Sequence, residues 1–300
     1  MKKYTNTVIK GKKMSNRLPD GYSLVLEGGG TRGYFSSGVF EAFMEDGIMF
    51  PYVIGVSAGA ANSLSYVSGQ MGRGRQMIEY HVPTPEYLSF KNMITKKSYF
   101  GYEYVFKTIP EKHSFWDKEM FKSHNVKYLA GAVDCNTGET IWFDNDDILE
   151  STDSVIASCS VPFISKVVNY KGYELLDGGI TSPIPIDKSI EDGNEFHVIV
   201  LTRNDGYRKK AFKYKKLLNA YYKKYPEFIK AMLTRHEIYN RQIELCEQLE
   251  KEGKAIIIRP KNKLKVKRTT NDSKKLMELH NEGYDIGKEA IKVLRNELKI

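Results

Sequence analysis

The chain has 300 residues, 41% hydrophobic and 28% charged with only 10 prolines, a globular composition long enough for one large α/β domain or a domain with a helical appendage. No run of about 18 apolar residues occurs, so no transmembrane helix is expected. Three widely spaced cysteines (Cys135, Cys159 and Cys246) form neither a disulfide framework nor a zinc pattern, which fits a reducing cytoplasm.

The net charge is +9. It gathers at Lys2, Lys3, Lys10, Lys12 and Lys13, at Arg208 to Lys216, and at Lys261 to Arg268. These clusters read first as solvated surface, with peripheral contact to an anionic membrane as the functional alternative. No zinc-finger or RRM signature accompanies them, so no nucleic-acid partner is expected.

Residues 1–21 are basic and polar without the apolar centre of a signal peptide, and are expected to form a flexible leader. Tyr22 to Leu26 reads as a buried strand, followed directly by Glu27-Gly28-Gly29-Gly30-Thr31-Arg32-Gly33. Tyr34 to Glu45 is a helix with Val39, Phe40, Phe43 and Met44 on one side and Asp46-Gly47 as its stop. Pro51 to Ile54 is a second apolar strand. It leads into Gly55-Val56-Ser57-Ala58-Gly59 and a small-residue helix over Ala58 to Val67. Alternation of this kind predicts a parallel sheet with right-handed crossovers.

From Tyr80 to Phe121, eleven aromatic side chains lie scattered among lysines, either as the wall of a substrate cleft or as packing on a sheet edge. Val126 to Val133 with Thr140 to Phe143, and Val167 to Tyr170 with Tyr173 to Leu176, read as hairpins. The second hairpin ends in Asp177-Gly178-Gly179. Phe196 to Leu201 is a further strand. After Asp205 the pattern turns helical. Ile229, Met232, His236, Tyr239, Ile243 and Cys246 share one face, as do Leu276, Leu279, Gly283, Ile286, Ala290 and Val293. A short strand, Ala255 to Ile258, separates the two helices.

A serine on a sharp strand-to-helix turn, with glycines at Gly55 and Gly59, is the nucleophile-elbow pattern. A serine hydroxyl needs a base. The ordinary partner is a histidine in a loop, yet His197 sits inside an apolar strand, His236 on an apolar stripe and His280 beside Leu279. A Ser57–Asp177–His197 triad remains as one alternative, and Asp177 acting alone as the other. Gly28, Gly30 and Gly33 also fit a dinucleotide-binding turn. That reading wants a carboxylate after the second strand, where Ser57 stands instead.

Gly28 to Gly33, Gly55 to Gly59 and Asp177-Gly178-Gly179, in that order, together with Ala157-Ser158 before Val161-Pro162, resemble the patatin-like phospholipases over Tyr22 to Ile190. The resemblance implies a three-layer α/β/α fold with a mostly parallel central sheet. It implies a dyad of Ser57 as nucleophile and Asp177 as base, and an oxyanion hole from the Gly28, Gly29, Gly30, Thr31, Arg32 and Gly33 loop, Arg32 lending positive charge. Gly178 and Gly179 complete the motif set. The substrate is then a phospholipid or another acyl-ester lipid, with no metal and no cofactor. Residues 22–204 are expected to form the patatin-like domain. Residues 205–300 are expected to form a mainly helical extension packed on it, with Ile258-Arg259-Pro260 and Glu282-Gly283-Tyr284 similar to the extension of a bacterial subgroup. A non-enzymatic membrane-surface module and a nucleotide-binding protein are the rivals from other classes.

Overall fold

The computed structural model describes residues 9–298. Its centre is an eight-stranded sheet. In chain order the strands are β1 (Tyr22–Leu26), β2 (Tyr52–Val56), β3 (Lys127–Asp134), β4 (Thr140–Phe143), β5 (Val168–Tyr170), β6 (Tyr173–Asp177), β7 (Phe196–Val200) and β8 (Ala255–Ile258). The spatial order is β8-β7-β1-β2-β3-β6-β5, with β4 also on β3. The five strands from β8 to β3 run parallel, and β4, β5 and β6 join antiparallel.

Successive side chains of a strand point to opposite faces, and both faces here are covered. Leu24, Leu26, Val53, Val198 and Val200 enter one core, beneath α1 (Tyr34–Glu45), α2 (Ala58–Val67) and the C-terminal helix α5 (Ser273–Leu298). Val25, Tyr52, Ile54, Ile199 and Leu201 enter the other, against Tyr239, Ile243 and Cys246 of the long helix α4 (Pro226–Lys251). The result is three layers, helix, sheet and helix. A further short helix, α3 (Asp153–Cys159), packs on β3 and β6.

The region after residue 205 contributes to the sheet itself. β8 is its edge strand, parallel to β7 with Ala255 opposite His197. In α5 the apolar stripe departs from the sequence reading at its end. Val293 is 47% exposed, whereas Ile291 and Leu294 are buried. A straight helix turns every 3.6 residues, so a stripe kept at alternating spacings of three and four, about 3.5 on average, drifts off the buried face.

The leader also departs from expectation over its described part. Met14 and Leu18 are buried, and Asn16–Arg17 pairs in parallel with Ile48–Met49. The Met14 N–H donates to His124 Nε2 and the Lys12 N–H to Gly69 O. Two buried apolar side chains and these backbone hydrogen bonds together anchor the basic segment to the core. Lys2 and Lys3 lie outside the described residues.

Candidate active site

Register brings the site together. β2 and β6 approach each other from opposite directions along the same edge of β3. Val56 stands opposite Gly131, and Asp177 opposite the next residue, Ala132. β4 occupies the other edge, with Trp142 opposite Gly131. The residue leaving β2 and the last residue of β6 are therefore neighbours. Ser57 Oγ donates a hydrogen bond of 2.8 Å to Asp177 Oδ2, and Asp177 Oδ1 accepts the Gly179 N–H at 2.8 Å.

Ser57 has φ 55° and ψ −129°, a backbone state that a side chain-bearing residue rarely adopts. The turn holds because its flanks are glycine. A Cβ at Gly59 would stand 2.8 Å from Leu26 O, and one at Gly55 2.8 Å from Ala60 N. The Ser57 N–H donates to Ser158 Oγ at 2.8 Å, and that hydroxyl donates to Gly131 O at 2.6 Å. Ser158 thus ties the serine backbone to β3.

The glycine loop abuts the serine. Gly28 packs against the Ser57 side chain, and Gly33 O accepts from Asn62 Nδ2 on α2. The Thr31 N–H is taken by Arg268 O at 2.9 Å, and the Arg32 N–H by Gly29 O at 3.3 Å. Among the described residues the Gly28, Gly29 and Gly30 N–H groups meet no acceptor. Together with the open first turn of α2, they are the donors left for a developing negative charge. The Arg32 guanidinium is buried with its Nε unpartnered, and burial lowers its pKa to about 10. Gly178 O accepts from the Ser182 N–H at 2.9 Å, which holds the turn after Asp177.

Two cavities meet at Ser57. The larger, about 110 Å³, is apolar and is lined by Tyr34, Ala61, Tyr87, Phe100, Tyr102 and Phe106 among others. Much of the aromatic stretch from Tyr80 to Phe121 is therefore cavity wall, although Phe90 and Phe115 face outward. The smaller, about 30 Å³, has several charged side chains in its wall. Gly28, Gly29, Gly30, Ser57 and Asp177 line it with Lys209, Arg235, Tyr239 and Arg268.

A match to the family model for patatin-like phospholipases runs over residues 24–190. The chain belongs to that family. Patatin-like phospholipases are lipid acyl hydrolases, and the three-layer architecture described above is in keeping with membership. Residues 225–299 match a second family model, a domain of unknown function (DUF6363). The chain is similar to the uncharacterized protein YjjU of Escherichia coli K12, at 24% identity over 189 residues. That match covers 61% of this chain and spans about half (52%) of YjjU. The crystal structure of VipD from Legionella pneumophila aligns at a TM-score of 0.42 and 12% identity, covering 95% of this chain and 70% of that one.

Geometry removes His197 from the site. It pairs with Ser23 at the start of β1, whereas Ser57 lies beyond the opposite end of β2. Its Nδ1 is held 2.8 Å from Ser23 Oγ and 3.1 Å from Ser189 Oγ, and burial lowers its pKa to about 4. A triad through His197 is therefore excluded by distance. His236 Nδ1 donates to Leu233 O within its own helix, and His280 is buried with its Nε2 3.0 Å from Glu41. Among the described residues no three His, Cys, Asp or Glu side chains are grouped so as to hold a metal ion.

Sequence reading missed the groups that reach the site from afar. Arg235 Nε donates to Gly179 O at 2.5 Å. Glu27 is buried, accepting from the Thr202 N–H at 2.6 Å and from the Tyr239 hydroxyl at 3.1 Å. A signal existed for Arg235: it lies three residues after Met232 and four before Tyr239, so a charged side chain sits on a buried stripe.

Proposed function

We propose that this chain hydrolyses fatty-acyl esters of lipids through Ser57 and Asp177, without a histidine. The observation that carries the reading is the 2.8 Å hydrogen bond from Ser57 Oγ to Asp177 Oδ2 at the foot of an apolar cavity. Asp177 accepts the Ser57 proton as the oxygen attacks the ester carbonyl. The N–H groups of Gly28 to Gly30 and of the α2 N-terminus meet the oxyanion, with Arg32 adding positive charge nearby. The leaving alkoxide takes the proton from Asp177 and departs as the alcohol. A water then gives a proton to Asp177 and attacks the acyl carbon, and the fatty acid leaves as Ser57 recovers its proton. The acyl chain lies in the aromatic cavity, where removal of apolar area from water favours binding by about 25 cal/mol per Å².

The enzyme works in the cytoplasm at a membrane surface. No helix among the described residues is long and apolar enough to cross a membrane. Tyr214, Leu217 and Tyr221 are exposed along one short helix and its N-cap, interspersed with Lys213, Lys215 and Lys216 and followed by Lys223 and Lys224. Apolar and cationic groups mixed in this way suit an anionic bilayer. A fluorophosphonate probe tests the serine. Wild-type protein is expected to label on Ser57 and Ser57→Ala to stay unlabelled; equal labelling of both would overturn the assignment.

A further inference from the structure

Two of the basic clusters send a member inward. Lys209 and Arg268 line the small cavity beside Ser57, joined by Arg235 from α4. All three lie outside the stretch that matches the patatin-like model. Among the described residues none of the three makes an ion pair. Lys209 Nζ lies 4.5 Å from the centre of the Tyr239 ring, and Arg235 donates through Nε to a backbone carbonyl. The two carboxylates of the cavity are already engaged. Glu27 accepts from Thr202 and Tyr239, and Asp177 from Ser57 and Gly179.

Glu27 and Asp177 offset part of this positive charge without forming an ion pair with any of the three, and burial disfavours the ionised forms of Lys209 and Arg235. Burial and the neighbouring Arg235 and Arg268 push Lys209 down to about 6, and burial with Arg268 pushes Arg235 down to about 10. An anion placed between them would remove that conflict. The cationic segment is also fixed relative to the reaction centre. Arg268 O accepts the Thr31 N–H at 2.9 Å and Lys267 O accepts the Thr31 hydroxyl at 3.0 Å. Gly30, at φ +57°, leaves room for this contact, because a Cβ there would run into Arg268 O. Arg268 also lines the same small cavity as Gly28, Gly29, Gly30 and Ser57, so a group it holds there lies beside the glycine loop.

We propose that Lys209, Arg235 and Arg268 form a phosphate subsite, contributed by the C-terminal region to the reaction cavity. Its ligand is the phosphate of a small-headed acyl ester whose chain occupies the aromatic cavity. At about 30 Å³ the smaller cavity admits roughly the bulk of two waters, a size that suits phosphate oxygens. The ligand's orientation rests on the Ser57 reading above; the subsite itself rests on the cations.

The test reads binding rather than turnover, so it stands apart from the hydrolytic assignment. Ser57→Ala protein is titrated by calorimetry at pH 7 with 1-decanoylglycerol 3-phosphate, with 1-decanoylglycerol, and with inorganic phosphate. The phosphorylated ester is expected to bind at least tenfold tighter than its neutral twin. Adding Lys209→Gln or Arg268→Gln is expected to remove most of that advantage, and Arg268→Lys to keep more of it than Arg268→Gln. Lys209→Gln is the variant to rely on for folding, because Asn240 holds the Lys209 backbone at both its N–H and its carbonyl. Inorganic phosphate binding that Lys209→Gln abolishes, with no advantage for the phosphorylated ester, would keep the subsite and assign it to free phosphate. Equal affinity for the two esters together with no phosphate binding would overturn it. Turnover of a neutral p-nitrophenyl ester by wild-type protein checks the Ser57 reading separately.

Discussion

Ser57 and Asp177 face each other because their strands meet end to end on one edge of β3, Val56 opposite Gly131 and Asp177 opposite Ala132. The hydrogen bond between them follows from strand register, not from proximity in the chain, where 120 residues separate the pair. The Asp177 carboxylate, with Gly179 N–H on one oxygen, presents the other to the Ser57 hydroxyl.

Removing either partner should abolish catalysis without unfolding the protein. Ser57→Ala and Asp177→Asn are each expected to lower kcat on a short p-nitrophenyl ester by roughly 10³-fold or more. Circular dichroism should show an unchanged fold. Full activity in either variant would refute the dyad.

Ser158 should matter to position rather than to chemistry. Ser158→Ala leaves the Ser57 N–H and Gly131 O without the shared hydroxyl. A slight displacement of the serine is expected to cost about 10-fold to 100-fold in kcat, with KM little changed. Loss of a buried partner should also reduce stability by about 1–3 kcal/mol. Steady-state kinetics and urea melts measure the two effects.

Gly59→Ala tests the elbow sterically. Its Cβ would lie 2.8 Å and 2.9 Å from the carbonyl oxygens of Leu26 and Glu27, backbone atoms of a central strand and its extension. A destabilisation of about 2–3 kcal/mol is expected, visible as a melting temperature lower by several degrees. A melting temperature equal to wild type would contradict the packing described here.

His197 should govern stability in acid and leave activity alone. Burial lowers its pKa to about 4, below the unfolded value near 6.5. Between those values the unfolded chain binds more protons than the native one, so stability rises with pH. The contribution, roughly 3 kcal/mol, is present above about pH 6.5 and lost as pH falls toward 4. His81, also lowered to about 4, acts in the same direction. Denaturant melts of His197→Gln across pH 4 to 7 should therefore give a shallower, not a flat, dependence. Ester hydrolysis at pH 7 by the folded variant should match wild type, whereas a triad would require its loss.

Filling the apolar cavity should change chain-length preference. Ala61 lines it from α2, one turn after Ser57. Ala61→Phe is expected to shift the optimum of a p-nitrophenyl ester series toward shorter chains, raising KM for decanoate about tenfold over butyrate. An unchanged profile would place the acyl chain elsewhere.

Much of this molecule is legible locally. The apolar runs of β1, β2 and β7 announce strands covered on both faces, and Gly55 and Gly59 announce a turn that no side chain could enter. The stripe on α4 names Tyr239, Ile243 and Cys246 as core, and all three are buried. Other features resisted reading. Met14 and Leu18 look like parts of a solvated tail until α1 and its neighbours supply a surface for them. Lys209 and Arg268 look like members of charged surface runs until the fold turns them toward Ser57.

By itself the sequence determined where the chain turns and which residues the elbow tolerates, because those rules are steric and act between adjacent residues. Tertiary structure supplied the contact between Ser57 and the Asp177 that the motif order had named, and it alone decided that Ser158 braces the serine and which N–H groups stay unpaired. It also decided that Lys209, Arg235 and Arg268 converge. These outcomes depend on the register of β2 and β6 along β3 and on the packing of α4 and the 267–268 segment. Such contacts join residues from 56 to more than 200 positions apart, as in Arg235 with Gly179 and Thr31 with Lys267, and no local pattern encodes them.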